Sequence, residues 1–273
     1  MILFPNCKIN LGLNIVARRS DGYHDIETVM VPVPWCDILE IVPAPDGELR
    51  LVTTGNQVDC PMEKNLVMKA YRAVAREYAL PPVHIYLHKI IPDGAGLGGG
   101  SSDASFTIIG LDKLFNLGMS RERMAELAAT IGADCPFFIY NRPRLATGIG
   151  TVFSDVELDL DGLWIVIAKP PVSVPTREAY AGVTPKPAEH DLSESLKQPV
   201  SQWQGRVKND FEPGIFSLHG DVEAIKQRML ECGALYSAMS GSGSAVFGLF
   251  VDEHSAAEAH GSFKKICSFM GKI

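Results

Sequence analysis

The first clear pattern along the chain is strict alternation over residues 8–15. Ile9, Leu11, Leu13 and Ile15 fall on one side, and Lys8, Asn10, Gly12 and Asn14 on the other. A period of two specifies a β-strand, whose polar side ordinarily meets solvent. Asp21-Gly22 supplies a turn before a second strand over 27–33. Residues 37–42 and 49–53 read as a hairpin closed around Asp46-Gly47. The period then changes to that of a helix: Asn65 precedes Val67, Ala70, Tyr71, Val74 and Tyr78, and Pro81-Pro82 ends the run. Residues 84–90 alternate again as a strand. Ala104, Ile108, Leu111 and Phe115 mark a further helix, with Ser101, Ser102 or Asp103 available as its N-cap. Ser120 caps a third helix carrying Met124, Leu127, Ala128 and Ile131, closed by Gly132.

Ala133-Asp134-Cys135-Pro136 follows that stop and leads into the apolar run 137–140. Composition shifts near 151–161, which places a domain boundary between 1–153 and 154–273. Residues 163–168 are continuously apolar, as in a buried strand. The stretch 184–204 is rich in Pro, Ser and Gln, weakly patterned, and expected to be the most mobile part of the chain. Residues 221–232 form a helix with Val222, Ile225 and Met229 inward. Two strands, 234–239 and 245–251, flank Ser240-Gly241-Ser242-Gly243-Ser244, and 254–266 is a final helix.

Between the strand at 84–90 and its following helix lie Pro92, Asp93, Gly94, Ala95, Gly96, Leu97, Gly98, Gly99, Gly100, Ser101 and Ser102. Five glycines in the seven residues 94–100 leave main-chain N–H groups uncovered and permit positive φ. Strand, glycine loop and helix N-terminus together bind phosphate through amide donors and the positive end of the helix dipole. The loop is not a Walker A motif, because Gly100 is followed by Ser101-Ser102 with no lysine. Gly94, Gly96 and Gly99 fit G-x-G-x-x-G, but Asp112, the nearest acid for a dinucleotide's ribose, falls inside the helical stripe. No His-Arg-Asp or Asp-Phe-Gly follows, which excludes the protein-kinase loop.

Composition adds limits. A chain of 273 residues, 46% hydrophobic and 21% charged, suits about two globular domains. The net charge of −7 argues against nucleic acid as the main partner. Cys7, Cys36, Cys60, Cys135, Cys232 and Cys267 lack metal-site spacing and read as buried thiols of a reducing compartment. No segment has the length and apolarity of a signal peptide or membrane span, so a cytoplasmic, soluble chain without membrane partners is expected.

Three separated segments, Pro5-Asn6-Cys7-Lys8-Ile9-Asn10-Leu11, the loop 92–102 and Met239-Ser240-Gly241-Ser242-Gly243-Ser244, resemble the motifs of the GHMP kinases. These are small-molecule kinases named for galactose, homoserine, mevalonate and phosphomevalonate. Arg19-Ser20-Asp21-Gly22-Tyr23-His24, Gly132-Ala133-Asp134-Cys135-Pro136-Phe137 and Val172-Ser173-Val174-Pro175-Thr176 resemble the branch acting on a cytidylyl sugar alcohol in the non-mevalonate isoprenoid pathway. The resemblance implies an α+β, two-domain fold with the active site in the interdomain cleft. It implies transfer of the ATP γ-phosphoryl group, with Mg²⁺, to the tertiary 2-hydroxyl of a cytidine-diphosphate methylerythritol. Asp134 would be the base and Lys8 its electrostatic partner. Asn65 and Lys89 would lie near the ATP base and ribose, and residues 92–102 around its phosphates. Tyr23 and His24 would meet the cytidine, and Tyr180 would stack on the cytosine. Asn10, Thr176, Gly241, Ser242 and Gly243 complete the expected substrate contacts, no residue is assigned to metal, and a monomer or homodimer is expected. Asp93 and Cys7 depart from the family pattern, which favours an apolar residue and alanine there.

Overall fold

A computed structural model describes residues 1–57 and 60–273. The chain begins with β1 (Ile2–Leu3), β2 (Asn6–Arg18), β3 (His24–Cys36), β4 (Ile38–Pro43) and β5 (Arg50–Gly55). Next come α1 (Leu66–Tyr78), β6 (Val83–Lys89), α2 (Gly99–Phe115), α3 (Arg121–Ala129) and α4 (Cys135–Tyr140). The second half runs β7 (Arg144–Thr147), β8 (Val152–Asp155), β9 (Trp164–Lys169), α5 (Thr176–Ala181), α6 (Leu192–Leu196), α7 (Glu212–Leu218) and α8 (Gly220–Glu231). It ends with β10 (Tyr236–Met239), β11 (Val246–Phe250), α9 (Glu253–Ser262) and β12 (Cys267–Lys272). Two compact units alternate along this order. Met1–Cys7, Trp35–Asp93 and Gly98–Arg142 make the first, and Lys8–Pro34, Gly94–Leu97 and Pro143–Ile273 the second. The division at 153/154 runs along the chain, whereas these units interleave.

In the first unit a sheet of order β1-β4-β6-β5 carries the helices α1 to α4. Leu39, Ile41, Ile85 and Leu87 of the sheet pack with Val67, Ala70 and Val74 of α1 and Ala104, Ile108 and Leu111 of α2. The hairpin expected at 37–53 does not form. β4 pairs antiparallel with β6, and β5 pairs parallel with β6 on its other side. β6, with Val83, Ile85 and Leu87 buried, takes the centre, and the exposed β5 takes the edge. A parallel β5–β6 pair requires a crossover, which α1 supplies. Asn65 caps α1 as expected, its side chain accepting from Val67 N at 2.9 Å. The N-cap expected for α2 is corrected: the helix starts at Gly99 behind Gly98 in the left-handed region, so Ser101, Ser102 and Asp103 lie inside it.

The second unit holds an antiparallel sheet, β10-β11-β9-β12, covered by α8 and α9. It also holds most of a second sheet, β2-β3-β7-β8. The final helix is shorter than expected, ending at Ser262, because the chain turns there to pair β12 with β9. Among the described residues the six cysteines form no disulfide, and Cys267 is exposed rather than buried. No helix among them is long and apolar enough to cross a membrane.

The stretch 184–204 is also corrected. It contains α6, and Leu192, Leu196 and Trp203 are buried. β2 holds it: Lys186 N donates to Ile15 O at 3.0 Å, and just past the stretch Leu13 N donates to Lys208 O at 2.8 Å. Trp203 is 1% exposed, packs edge-on against Tyr236 at 5.7 Å and donates its indole N–H to Gln198 O. Its three large buried apolar residues suffice to anchor it. Trp203→Ala is therefore expected to cost about 3–5 kcal/mol of stability, measured by urea unfolding, whereas a loose segment would show almost no change.

Candidate active site

In the second unit, three stretches distant in sequence meet at one main-chain oxygen. The Gly96 carbonyl accepts from Lys8 Nζ and from Ser240 Oγ, each at 2.9 Å. Lys8 N donates to Leu97 O at 2.9 Å, and Ala245 N to Ala95 O at 3.2 Å. Gly96 takes φ +74°, and a Cβ there would lie 2.0 Å from the Ser240 carbonyl oxygen. Only glycine permits so close an approach.

The second face of β2, expected to meet solvent, is buried: Lys8 and Asn10 are each 3% exposed. Lys8 Nζ also donates to Asn10 Oδ1, Asn10 Nδ2 donates to Thr28 Oγ1 at 3.0 Å, and Thr28 Oγ1 donates to Gly12 O. The amide of Asn10 is thus oriented at both ends, and the Lys8 head is fixed. Asn209 steadies the Gly/Ser turn by donating to Met239 O and Gly241 O, both at 2.8 Å. Thr176 Oγ1 and Ser242 Oγ lie 3.5 Å apart. His24 and Tyr180 stack at 4.7 Å, and Tyr180 meets Phe211 edge-on at 4.9 Å, whereas Tyr23 is 63% exposed.

The first unit holds the other candidates. α2 has no side-chain cap, so the amides of its first turn, at Gly99, Gly100 and Ser101, are the orphan donors of a helix N-terminus. Gly99 has an ordinary φ and sits in tight space: a Cβ would lie 3.0 Å from Ile91 Cγ2 and 3.3 Å from Lys89 Nζ, so those side chains would have to give by a few tenths of an ångström. Ser102 Oγ is buried with no hydrogen-bond partner among the described residues. An uncapped helix start beside an orphan hydroxyl fits an anionic ligand that accepts hydrogen bonds. Asp93 is exposed, so its charge is solvated and adds no burial cost to the loop. Asp134 occupies the N-cap position of α4 without making a cap hydrogen bond.

Lys89 is buried, its ammonium paired with Asp37 and, at 2.7 Å, with Asp103. Burial pushes the Asp103 carboxyl up, to about 7, Asp37 adds to this and Lys89 opposes it. Burial also acts to lower the Lys89 ammonium, but the two carboxylates together carry it above its ordinary value.

Thr28, Asp37, Asp103 and Asn209 were missed in the sequence. Asp103 left a signal, since it shares the inner stripe of α2 with Thr107, Ile108 and Leu111, and an acid on such a face needs a cation.

The family profile described as GHMP kinases N terminal domain matches residues 65–142. That described as GHMP kinases C terminal matches residues 192–268. The chain belongs to the GHMP kinases. It is similar to 4-diphosphocytidyl-2-C-methyl-D-erythritol kinase of Bacteroides fragilis, at 49% identity over 93% of each chain. It is 51% identical to the enzyme of that name from Parabacteroides distasonis, over 92% of each. A crystal structure of 4-(cytidine 5'-diphospho)-2C-methyl-D-erythritol kinase superposes with a TM-score of 0.82 at 31% identity, covering 99% of this chain and 98% of that one. As a GHMP kinase, this α+β chain is a small-molecule kinase.

Gly96→Ala adds a Cβ at positive φ, which alone costs about 1–2 kcal/mol, and pushes on Ser240. A lowered Tm and faster hydrogen exchange over residues 240–245 are expected. Unchanged values would show that the loop and turn do not touch.

Proposed function

We propose that this GHMP kinase transfers the γ-phosphoryl group of ATP to the tertiary 2-hydroxyl of 4-diphosphocytidyl-2-C-methyl-D-erythritol, giving the 2-phosphate and ADP in the non-mevalonate route. The observation that carries this is the Gly96 carbonyl gripped by Lys8 and Ser240. It assembles an ammonium, part of a glycine loop and a Gly/Ser turn in one place. Full-length likeness to kinases named for that acceptor supports the choice of substrate.

Phosphoryl transfer passes through a loose transition state, so the protein contributes position and electrostatics. The amides of residues 94–100 and the dipole of α2 hold the phosphates. Hydrogen bonds to charged groups contribute about 1.5–3 kcal/mol each, so their number matters more than any one. The hydroxyls of Ser101 and Ser102 are oxygen ligands of the kind that would hold a nucleotide-bound Mg²⁺, which would supply neutralisation of phosphate charge. Asp134 takes the hydroxyl proton as the O–P bond forms. Lys8, oriented through Asn10, favours the ionised carboxylate and balances γ-phosphate charge. His24 and Tyr180 engage the cytosine, with Tyr23 at its edge. Thr176, Gly241, Ser242 and Gly243 contact the remainder of the acceptor, and Asn65 lies at the nucleoside end of ATP.

ATP consumption with 4-diphosphocytidyl-2-C-methyl-D-erythritol, run beside mevalonate and homoserine, tests the substrate: turnover is expected with the first alone, and turnover of another acceptor instead would overturn it. Asp134→Asn is expected to lower kcat by about 10²–10⁴-fold with ATP affinity retained. A normal kcat removes Asp134 from proton transfer. Stacking contributes about 1–3 kcal/mol per base, so Tyr180→Ala should raise KM for the cytidylyl acceptor roughly 5- to 150-fold. An unchanged KM places Tyr180 outside the pocket.

A further inference from the structure

Asp37, Lys89 and Asp103 form a buried ionic cluster with no part in the chemistry above. Their side chains are 0, 4 and 3% exposed. Lys89 closes β6, and its ammonium donates to Asp37 Oδ2 and to Asp103 Oδ2. The other oxygen of Asp37 accepts from Ile90 N at 2.5 Å and Ile91 N at 2.8 Å. One carboxylate therefore fixes the two residues that lead into the glycine loop. The other stands on α2, which leads out of it. Among the described residues Asp103 Oδ1 has no hydrogen-bond partner, while Oδ2 accepts from Lys89. Gly99 seats against the same ammonium, its missing Cβ leaving 3.3 Å to Lys89 Nζ.

Stability alone does not account for the cluster. Two carboxylates and one ammonium in a core are costly, and apolar replacements of such groups are often as stable or more so. Charge-assisted hydrogen bonds are short and directional, and fix geometry in a way apolar contacts do not. The enclosed loop has Gly94, Gly96 and Gly98 at positive φ and little stiffness of its own. Its order must come from its ends, and an ordered site loses less entropy on binding.

We infer that Asp37, Lys89 and Asp103 are positioning residues that lock the two stems of the glycine loop and thereby set its affinity for nucleotide phosphates. This rests on the proposed binding of those phosphates by residues 94–100. Asp103→Leu is the decisive variant, since it cuts the link to α2 and leaves Lys89 and Asp37 as a neutral pair. In steady-state kinetics on the folded, full-length enzyme, KM for ATP should rise at least about tenfold. KM for the acceptor and kcat at saturating ATP should stay within about threefold. Asp103→Asn, which keeps an acceptor for Lys89, should restore KM for ATP to within about threefold of the parent. An unchanged KM for ATP in Asp103→Leu, a fall in kcat with both KM values unchanged, or failure of Asp103→Asn to restore would each overturn the inference. If the leucine variant does not fold, Asp103→Ser is read in the same way, and if neither folds the cluster is structural and the inference fails. Gly100→Val separates the two claims, because Gly100 has room for a Cβ, 3.7 Å from Leu66 Cδ1. Normal ATP KM in Gly100→Val sinks the phosphate assignment itself, whereas a raised one beside a normal Asp103→Leu sinks only the role of the cluster.

Discussion

A buried ammonium has few ways to be comfortable in a protein, and Lys8 uses main chain and amide to achieve it. At 3% exposure it has given up most of its hydration, a loss that must be offset by oriented acceptors. The Gly96 carbonyl and Asn10 Oδ1 are two of these. Much of the second unit follows from satisfying that one charge. Asn10 needs Thr28 to orient it, so β2 and β3 are tied together by side chains on the face that also carries Lys8. The Gly96 oxygen needs a fixed position, which Ser240 supplies, and the turn bearing Ser240 needs Asn209.

The glycines of the loop serve different ends, although a sequence shows only their number. Gly96 is required because the Ser240 carbonyl occupies the space of a side chain, and Gly99 packs closely against the Ile91 and Lys89 side chains. Gly94 and Gly98 are required for their positive φ. Flexibility is the common property of glycine but not the use made of it here. Two of these residues mark places where the loop is pressed against something rigid, which is the opposite of a free tether.

Local chemistry made much of this legible. Asn65 before a helical stripe, Ser120 before another, and alternation in β2 each describe forces acting within a few residues, and each forms as read. The misreadings share a different character. Pairing of β4 and β5 looked natural across Asp46-Gly47, but strand neighbours are chosen by burial, and β6, further along the chain, displaced the local partner. β12, just past the helix expected over 254–266, was not read as a strand because its pairing with β9 depends on residues about a hundred positions away. Asp103 looked like a cap because caps are the usual work of an aspartate near a helix start. Its true partner, Lys89, precedes the loop, and no spacing rule connects them. Alternation put Lys8 and Asn10 on one polar side of a strand, but their burial depended on Thr28 and Gly96, which alternation cannot reveal.

The division between main chain and side chain explains why the family motif is recognisable while the acceptor demands more. Contacts made through Gly96 O, Leu97 O and Ala95 O constrain a sequence only to keep glycine where space is short. Any GHMP kinase can meet that demand whatever it phosphorylates, since a phosphate chain is the same in every nucleotide triphosphate. In the proposed function, discrimination among acceptors would fall to side chains such as His24 and Tyr180, whose stacked rings present flat apolar faces with polar edges. A planar base suits such faces, while a small acyclic acid such as mevalonate or homoserine offers no ring to match them.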